Sequence, residues 1–275
     1  HALTTRPISE FIAKIEAYEM AHRWPRRVCV VGGGVAGIEL AMGFRARFAF
    51  ERAQPQVRKH MRTLHEQTQV SVQVCDPADT VLPQLGYLVS RSVRRKLVAL
   101  GIEVLHGARA VSITNDRVIL ENGHEVQTDL IVWAAGADPP PLLSRSGLPL
   151  CEAGYLLVNK HLQSVGSDRV FGAGDCITIE GCAYVTKAGV YAVREGPVLA
   201  ANLLASLRGR PLESYHPQKG HLALIMSGDG EAISSWKGLA WTGSAVWKLK
   251  DKIDREFMDL FDTSKLGPAP STHLL

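Results

Sequence analysis

The stretch VCVVGGGVAGIELA, residues 28–41, decides how the rest of the chain is interpreted. Its apolar start predicts a buried strand, and its second half predicts a helix that begins at Val35. Between them stands Gly32-x-Gly34-x-x-Gly37, a spacing that permits a tight turn, close approach of the backbone to a pyrophosphate, and close packing of helix on strand. The N-terminus of the helix also favours an anion. Because strand and helix flank the glycines in the required order, the motif predicts a dinucleotide site.

An acidic residue follows the second predicted strand. Asp76 stands where a carboxylate would bind the adenine ribose hydroxyls and repel a 2′-phosphate, which favours NADH over NADPH. It lies 44 positions after Gly32, against about 20 in the usual pattern. The polar stretch 51–69 is therefore interpreted as an insertion or a second helix. Asp79 is an alternative for the same role, and a simple turn aspartate before Pro77 is the structural alternative.

A second group of residues lies in the later half of the chain. Gly172-x-Gly174-Asp175 follows a short predicted strand, and Asp175 could accept a hydrogen bond from a ribityl or ribose hydroxyl, although a plain turn has the same composition. Lys187 and Ala188 stand at the predicted start of a helix. The dipole there would favour negative charge, such as the N1/O2 edge of a reduced flavin. A solvated lysine at a helix end is the alternative.

The remaining chain alternates predicted helices and strands. Helices are predicted at 8–23, 35–50, 88–100, 187–207 and 244–261. Strands are predicted at 27–31, 70–74, 102–105, 110–120, 125–134, 155–158, 169–171, 222–226 and 232–236. Of these, 110–120 and 125–134 are expected to form one antiparallel pair around the turn 121–124.

Composition excludes several classes of protein. Hydrophobic residues make up 46% and charged residues 21%, as in ordinary globular proteins. The net charge of +4 is not concentrated in any basic run, so nucleic-acid binding is not predicted. The five cysteines form no C-x-x-C pair, which argues against a thiol-disulfide reductase. Neither a Walker loop nor paired metal-binding carboxylates stand out, so no metal site is predicted, and no apolar run reaches the ~20 residues that span a bilayer.

Five segments, taken in order, resemble the pyridine nucleotide-disulfide oxidoreductase superfamily with two dinucleotide-binding domains. They are VCVVGGGVAGIELA (28–41), VSVQVCDPADTVLP (70–83), DLIVWAAGADPPPLL (129–143), RVFGAGDC (169–176) and TKAGVYAVREGPVLAANL (186–203). The missing C-x-x-C and the insertion look like the type II NADH dehydrogenase branch. Three further segments resemble the dehydrogenase-like module fused to selenide, water dikinase (selenophosphate synthetase). They are RPLESYHPQ (210–218), LALIMSGDGEAISSWKGLA (222–240) and WKLKDKIDREFMDLF (247–261).

The resemblance implies an α/β, three-layer, Rossmann-like FAD/NAD(P)-binding fold. Its implied divisions are an NAD-binding domain at 26–138, a partial FAD-binding domain at 1–25 and 139–209, a C-terminal cap at 210–266, and a linker or tail at 267–275. Relatives begin with a further strand–GxGxxG–helix unit that binds the ADP half of FAD. This unit is expected to precede His1 in a longer protein, so weak FAD binding, or none, is expected of this chain alone.

The resemblance also implies an activity. Hydride would pass from NADH to FAD, and electrons would then pass to an acceptor, for which a quinone is one candidate. Catalytic roles fall on Glu39, near the nicotinamide–flavin contact, and on Lys187, beside the isoalloxazine. The implied cofactor-binding residues are Gly32, Gly34, Gly37 and Asp76 for NADH, with Gly136, Gly174, Asp175, Lys187 and Ala188 completing the cofactor sites.

Other interpretations remain open. The chain could be a redox-sensing or electron-supplying module attached to a selenophosphate synthetase domain, and the linker-like tail 267–271 fits such an attachment. Trp236, Trp241 and Trp247, with nearby lysines, could form a membrane-surface contact, against a helix that merely caps its own protein. The expected location is accordingly cytoplasmic or peripheral to a membrane.

Overall fold

The computed structural model describes residues 2–21, 25–52, 70–136 and 138–262. Two compact units divide the chain, one comprising His1–Ala135 with Leu222–Leu275, and the other Gly136–His221. Most of the predicted insertion at 51–69 and all of the tail at 267–275 lie outside the described residues.

The first unit is built on a parallel sheet. In chain order its elements up to Ala135 are β1 (Leu3–Thr4), α1 (Ile8–Met20), β2 (Arg27–Val31), α2 (Val35–Arg52), β3 (Ser71–Cys75), a 3-10 turn (Pro83–Leu85), α3 (Tyr87–Ala99), β4 (Ile102–Leu105), β5 (Ala110–Ile113), β6 (Arg117–Leu120), β7 (Glu125–Gln127) and β8 (Leu130–Trp133). Five strands form the sheet in the order β1-β8-β2-β3-β4, and all of them pair in parallel.

Burial explains why these segments form the sheet and its helices. The central strand β2 is buried from Val28 to Val31, as expected for a parallel strand covered on both faces. Helix α2 places Ile38, Met42 and Phe48 in the core without solvent exposure. Helix α3 buries Val89, Val93 and Leu97, which share one face because they are four residues apart. The glycine turn is thereby fixed between a buried strand and a buried helix.

The predicted antiparallel pair is wrong in its bounds. The stretch 110–120 breaks into β5 and β6, and 125–134 breaks into β7, which completes a three-stranded antiparallel sheet, and β8, which enters the parallel sheet. Asp129 explains the second break. Its carboxylate accepts the N–H groups of Arg26 and Arg27 and pairs with the Arg27 guanidinium at 2.7 Å. This carboxylate fixes the start of β8 against β2.

The chain returns to the first unit at Leu222. Its last elements there are β11 (Ala223–Met226), β12 (Ala232–Trp236), β13 (Leu239–Gly243) and α6 (Ser244–Asp259), with β11-β12-β13 as an antiparallel sheet. Strand β13 was not predicted. Ile225 and Ile233 are buried in the same core as α2 and α3, and Lys96 of α3 pairs with Asp229 at 2.5 Å and Glu231 at 2.7 Å.

The second unit is smaller and contains α4 (Pro141–Ser144), β9 (Leu156–Val158), a 3-10 turn (Gly174–Cys176), β10 (Ile177–Ile179) and α5 (Gly189–Leu207). Strands β9 and β10 pair in parallel, and Leu162 is buried with both of them. Helix α5 begins two residues later than predicted because Ala188 is still extended.

The two units are grouped differently from the domains expected from the resemblance. The resemblance groups residues 1–25 with 139–209, whereas Leu3 and Thr4 pair with β8 in the first unit. The expected cap at 210–266 is divided at Leu222. The division into compact units does not show which stretch binds which cofactor, so the assignment of cofactor domains stays a prediction.

Within the parts of the chain that the structure describes, every helix is too short or too polar to cross a membrane.

Candidate functional site

The glycine turn has the geometry that close contact with a ligand requires. Gly32 has a φ of +108°, and its N–H donates to the carbonyl of Cys75 at 2.9 Å. A Cβ on Gly37 would lie 1.9 Å from the carbonyl oxygen of Gly32, whereas a Cβ on Gly34 would meet nothing within 4 Å. Gly37 is therefore needed for packing of the turn, and Gly34 leaves open backbone at the N-terminus of α2.

The structure brings Asp76 to this turn despite the long separation in sequence. The N–H of Gly33 donates to Asp76 Oδ2 at 2.5 Å, and the N–H of Ala78 donates to Oδ1 at 2.8 Å. A Cβ on Gly33 would come within 2.8 Å of the Asp76 side chain. Gly33, the middle glycine of GGG, was missed by sequence reasoning. The alternative residue, Asp79, lies further along the loop and is exposed.

Glu39 has a set of contacts that its position in the motif did not indicate. Its Oε1 accepts the N–H of Met226 at 2.7 Å and lies 3.7 Å from Lys250 Nζ. Burial raises the pKa of Glu39, while the Met226 N–H and Lys250 partly oppose this rise. The structure thus joins Glu39 to β11 and α6, and its expected catalytic role stays a prediction.

Four predicted residues of the second unit converge on one cavity of about 310 Å3. They are Gly174, Asp175, Lys187 and Ala188. Gly136 does not line this cavity, and its cofactor role stays a prediction. The lining also includes Tyr155, Cys151 and Glu195, none of which the sequence singled out.

Lys187 reaches into the cavity wall. The residue as a whole is exposed, but its Nζ donates to the carbonyl of Ile177 and lies 4.0 Å from the centroid of the Tyr155 ring. Desolvation of the ammonium lowers the pKa of Lys187, and the nearby Cys151 and Asp175 partly oppose this. The side chain places a cation beside the Gly174–Asp175 turn.

Glu195 is the functional candidate that sequence reasoning missed. It is only 2% exposed on α5, and its Oε2 accepts the N–H of Gly174 at 2.5 Å. Burial raises its pKa, with the Gly174 N–H and Lys187 acting in the opposite direction. A charged residue amid the apolar positions of α5 was the available signal. Glu195 holds the turn that carries Asp175.

The raised pKa of Glu195 predicts a pH-dependent stability. The folded protein retains the proton more strongly than the unfolded chain, whose value is near 4.5, so stability falls as pH rises through the folded pKa. Glu195→Gln keeps an acceptor for Gly174 but cannot ionise. Between about pH 4.5 and neutrality, we expect the free energy of unfolding of the wild type to fall relative to that of the variant as pH rises. Urea denaturation at each pH measures the difference.

The exposed residue Glu180 offers a matched control. Glu180→Gln makes the same chemical change outside the cavity and should show no such trend. A difference in the free energy of unfolding between wild type and Glu195→Gln that does not change with pH would contradict the proposed ionisation of Glu195.

The glycine turn, the carboxylate beside it and the parallel sheet define a dinucleotide-binding α/β protein. More specifically, the chain belongs to the pyridine nucleotide-disulphide oxidoreductase family, which matches residues 10–200. Membership confirms the predictions of an α/β oxidoreductase fold and of FAD and NAD(H) as cofactors. The residues also fit these groups, since Gly34 leaves open backbone for a pyrophosphate and the Lys187 cavity presents a cation to a flavin.

Curated relatives include quinone reductases. Ferroptosis suppressor protein 1 of Homo sapiens is 27% identical over 95% of this chain and 67% of its own length. Demethylphylloquinone reductase NdbB of Synechocystis is 26% identical over 85% of this chain and 54% of its own. Type II NADH:quinone oxidoreductase of Haemophilus influenzae is 25% identical over 72% and 44%. The chain spans about half to two thirds of the length of these relatives.

Solved structures support the fold. NDH2 from Plasmodium falciparum in complex with NADH superposes with a TM-score of 0.70 and 14% identity, covering 97% of this chain and 74% of that chain. Resemblance to the type II branch is therefore supported in both sequence and fold. None of the relatives named above is a selenide, water dikinase, and the narrower resemblance to a module fused to that enzyme stays a prediction.

Proposed function

We propose that the chain is the NADH-binding and flavin-contacting part of a flavin-dependent NAD(P)H oxidoreductase that passes electrons to a quinone. The observation that carries this proposal is the convergence of Gly174, Asp175, Lys187 and Ala188 on one cavity. In this proposal 26–135 is the NAD-binding domain, 139–209 contributes to the FAD-binding domain, and the elements from Leu222 onward form a cap.

The first unit supplies dinucleotide binding. The N-terminus of α2 presents free N–H groups to a pyrophosphate, and Gly34 leaves room for it. Asp76, held by the backbone N–H groups of Gly33 and Ala78, is oriented to accept hydrogen bonds from a ribose. Its carboxylate needs no rearrangement of the turn to do so, which limits the entropic cost of binding.

The second unit supplies the environment of the flavin, whose own chemistry is to accept a hydride and release its electrons. The Lys187 ammonium would stabilise negative charge at the edge of the reduced ring. Ala188 offers a small side chain against a planar group. Asp175 would bind ribityl hydroxyls, and Glu195 holds its turn through the N–H of Gly174.

A quinone is favoured over a disulfide as the acceptor. Two relatives are named as enzymes that reduce a quinone, and the five cysteines of this chain are free. Cys29 and Cys75, whose Sγ atoms are 3.5 Å apart, are buried and inaccessible to a disulfide substrate. Cys151 and Cys182 line the cavity. A disulfide is therefore the competing acceptor with which the quinone is compared.

Two finer predictions concern partners. Trp236 and Trp241 are about half exposed, as a peripheral membrane contact would require. Attachment to a selenophosphate synthetase domain is the alternative function retained from the sequence, and no contact among the described residues favours it.

Steady-state turnover tests the proposed acceptor. The protein, with its FAD-binding domain complete and loaded with FAD, is supplied with NADH and either a short-chain quinone or a small-molecule disulfide. We expect NADH oxidation with the quinone, at a rate that Cys151→Ser with Cys182→Ser leaves unchanged. Faster turnover with the disulfide, abolished by the double serine variant, would contradict the proposal.

A further inference from the structure

Two cysteines lie against each other in the core of the first unit, beside the glycine turn. Cys29 is in β2 and Cys75 ends β3, and their Sγ atoms are 3.5 Å apart. Both side chains are buried in a cluster with Val118, Leu120 and Val126, which belong to the three-stranded sheet β5-β6-β7. Cys29 and Cys75, which we call the thiol pair, are therefore enclosed between the parallel sheet and this smaller sheet.

The thiol pair is joined directly to the groups that form the dinucleotide site. The carbonyl of Cys75 accepts the N–H of Gly32 at 2.9 Å. The next residue, Asp76, accepts the N–H of Gly33 through its Oδ2. Because Cys29 lies three residues before Gly32, a displacement of Cys75 relative to Cys29 changes both of these contacts.

The strand register determines how the two sulfurs can meet. Cys29 is in register with Gln73, whereas Cys75 is two positions further along β3. The cysteines are therefore diagonal neighbours on one face of the sheet. A disulfide requires its sulfurs to lie about 2.05 Å apart, whereas these lie 3.5 Å apart. Because of the diagonal offset, closing the gap draws the end of β3 backward along β2, and Asp76 moves with it.

The hydrogen bond between the two sulfurs makes them chemically unequal. It lowers the pKa of the Cys75 thiol and, together with burial, raises the pKa of Cys29. Cys75 is therefore the thiol that ionises first, and the thiolate is the nucleophilic form. Its attack on hydrogen peroxide gives a sulfenic acid and hydroxide. The Cys29 thiol then attacks that sulfur, and water leaves as the disulfide forms. In total the two thiols lose two electrons and two protons, and one peroxide becomes two waters.

Burial excludes a disulfide substrate from the thiol pair but does not exclude a molecule of the size of peroxide. The sheet that covers the pair consists of strands of only three or four residues. Folded proteins open locally at a smaller cost in free energy than global unfolding requires. Opening of this small sheet would expose Cys75 without unfolding the parallel sheet that carries the glycine turn.

We propose that hydrogen peroxide oxidises the thiol pair to a reversible disulfide, which weakens NADH binding by displacing Asp76 and Gly32. The protein would thereby lose its supply of electrons under oxidising conditions and regain it when a thiol reduces the bond. The effect on NADH rests on the proposed function, because it assumes that the dinucleotide binds at the glycine turn. Formation of the disulfide makes no such assumption.

Peroxide treatment of the chain, followed by removal of the peroxide with catalase, tests this inference. Peptide mapping without reductant detects the bond between Cys29 and Cys75, and fluorescence titration measures NADH affinity. We expect oxidised wild type to contain the bond and to bind NADH at least about tenfold more weakly. Dithiothreitol should restore the affinity. Cys29→Ala and Cys75→Ala should each bind NADH equally well before and after peroxide. Cys176→Ala, which removes a free thiol outside the pair, should respond as the wild type does.

The other outcomes contradict the inference and separate it from the proposed function. Two free thiols in wild type after peroxide, shown by alkylation of the denatured protein, would overturn it. A disulfide that forms without changing NADH affinity would also overturn it, because the glycine turn would then be unaffected. A loss of NADH binding that persists in both alanine variants would assign the loss to another oxidised residue. If reduced wild type binds no NADH, the proposed function fails, and the inference fails with it even where the disulfide is found.

Discussion

Replacement of Gly37 by alanine is expected to abolish useful NADH binding. The added Cβ would lie 1.9 Å from the carbonyl oxygen of Gly32, and backbone cannot yield as a flexible side chain can. The N-terminus of α2 must then move away from the turn that receives the pyrophosphate. We expect NADH affinity to fall by about 100-fold, which is roughly 2.7 kcal/mol, with a loss of about 1–3 kcal/mol in the free energy of unfolding.

Two other glycines separate the causes of this effect. A Cβ on Gly43, inside α2, meets nothing within 4 Å, so Gly43→Ala should leave NADH binding intact and stabilise the helix by up to about 1 kcal/mol. Gly34→Ala also meets nothing in the protein. It should leave unfolding nearly unchanged and still weaken NADH binding. Fluorescence titration with NADH, combined with urea denaturation, measures both quantities. Unaltered NADH binding by Gly37→Ala would contradict the proposal that NADH binds at the glycine turn.

Replacement of Lys187 by methionine is expected to slow reduction of the bound flavin by about 100-fold. Methionine keeps the length and apolar character of the side chain but removes the cation that lies beside the Asp175 turn. Negative charge on the reduced ring would then lack its compensation, and the flavin reduction potential should fall. Stopped-flow absorbance under anaerobic conditions measures the rate, and dye equilibration measures the potential.

Lys160 provides the comparison for this change. It lies in the same unit, is exposed and does not line the cavity, so Lys160→Met changes net charge equally without touching the site. Its flavin should be reduced at the wild-type rate. A normal rate and potential in Lys187→Met would show that the ammonium serves only the contacts to Ile177 and Tyr155.

Local sequence patterns predicted the parts of the site that depend on local structure. The glycine spacing required only a strand before it and a helix after it, and both are present at Arg27–Val31 and Val35–Arg52. Asp76 could be placed because it ends a recognisable strand, even though an insertion precedes that strand. Two short motifs likewise indicated Gly174, Asp175, Lys187 and Ala188 as candidate site residues.

Contacts between distant segments could not be predicted in this way. The bond from Met226 to Glu39 joins residues 187 positions apart, and neither segment carries a signal for the other. Glu195 is buried because the Gly174 turn folds against α5, which helix periodicity alone cannot show. The break between β7 and β8 depends on Asp129 accepting bonds from Arg26 and Arg27, about 100 residues earlier.

An anaerobic titration with NADH of the FAD-loaded protein, with its FAD-binding domain complete, tests the central claim most directly. The account predicts that one equivalent of NADH bleaches the flavin absorbance, and that the bleaching requires both an intact Gly37 turn and Lys187. NADH that binds at the glycine turn while the bound flavin stays oxidised would contradict the account. The glycine motif would then serve dinucleotide binding without electron transfer.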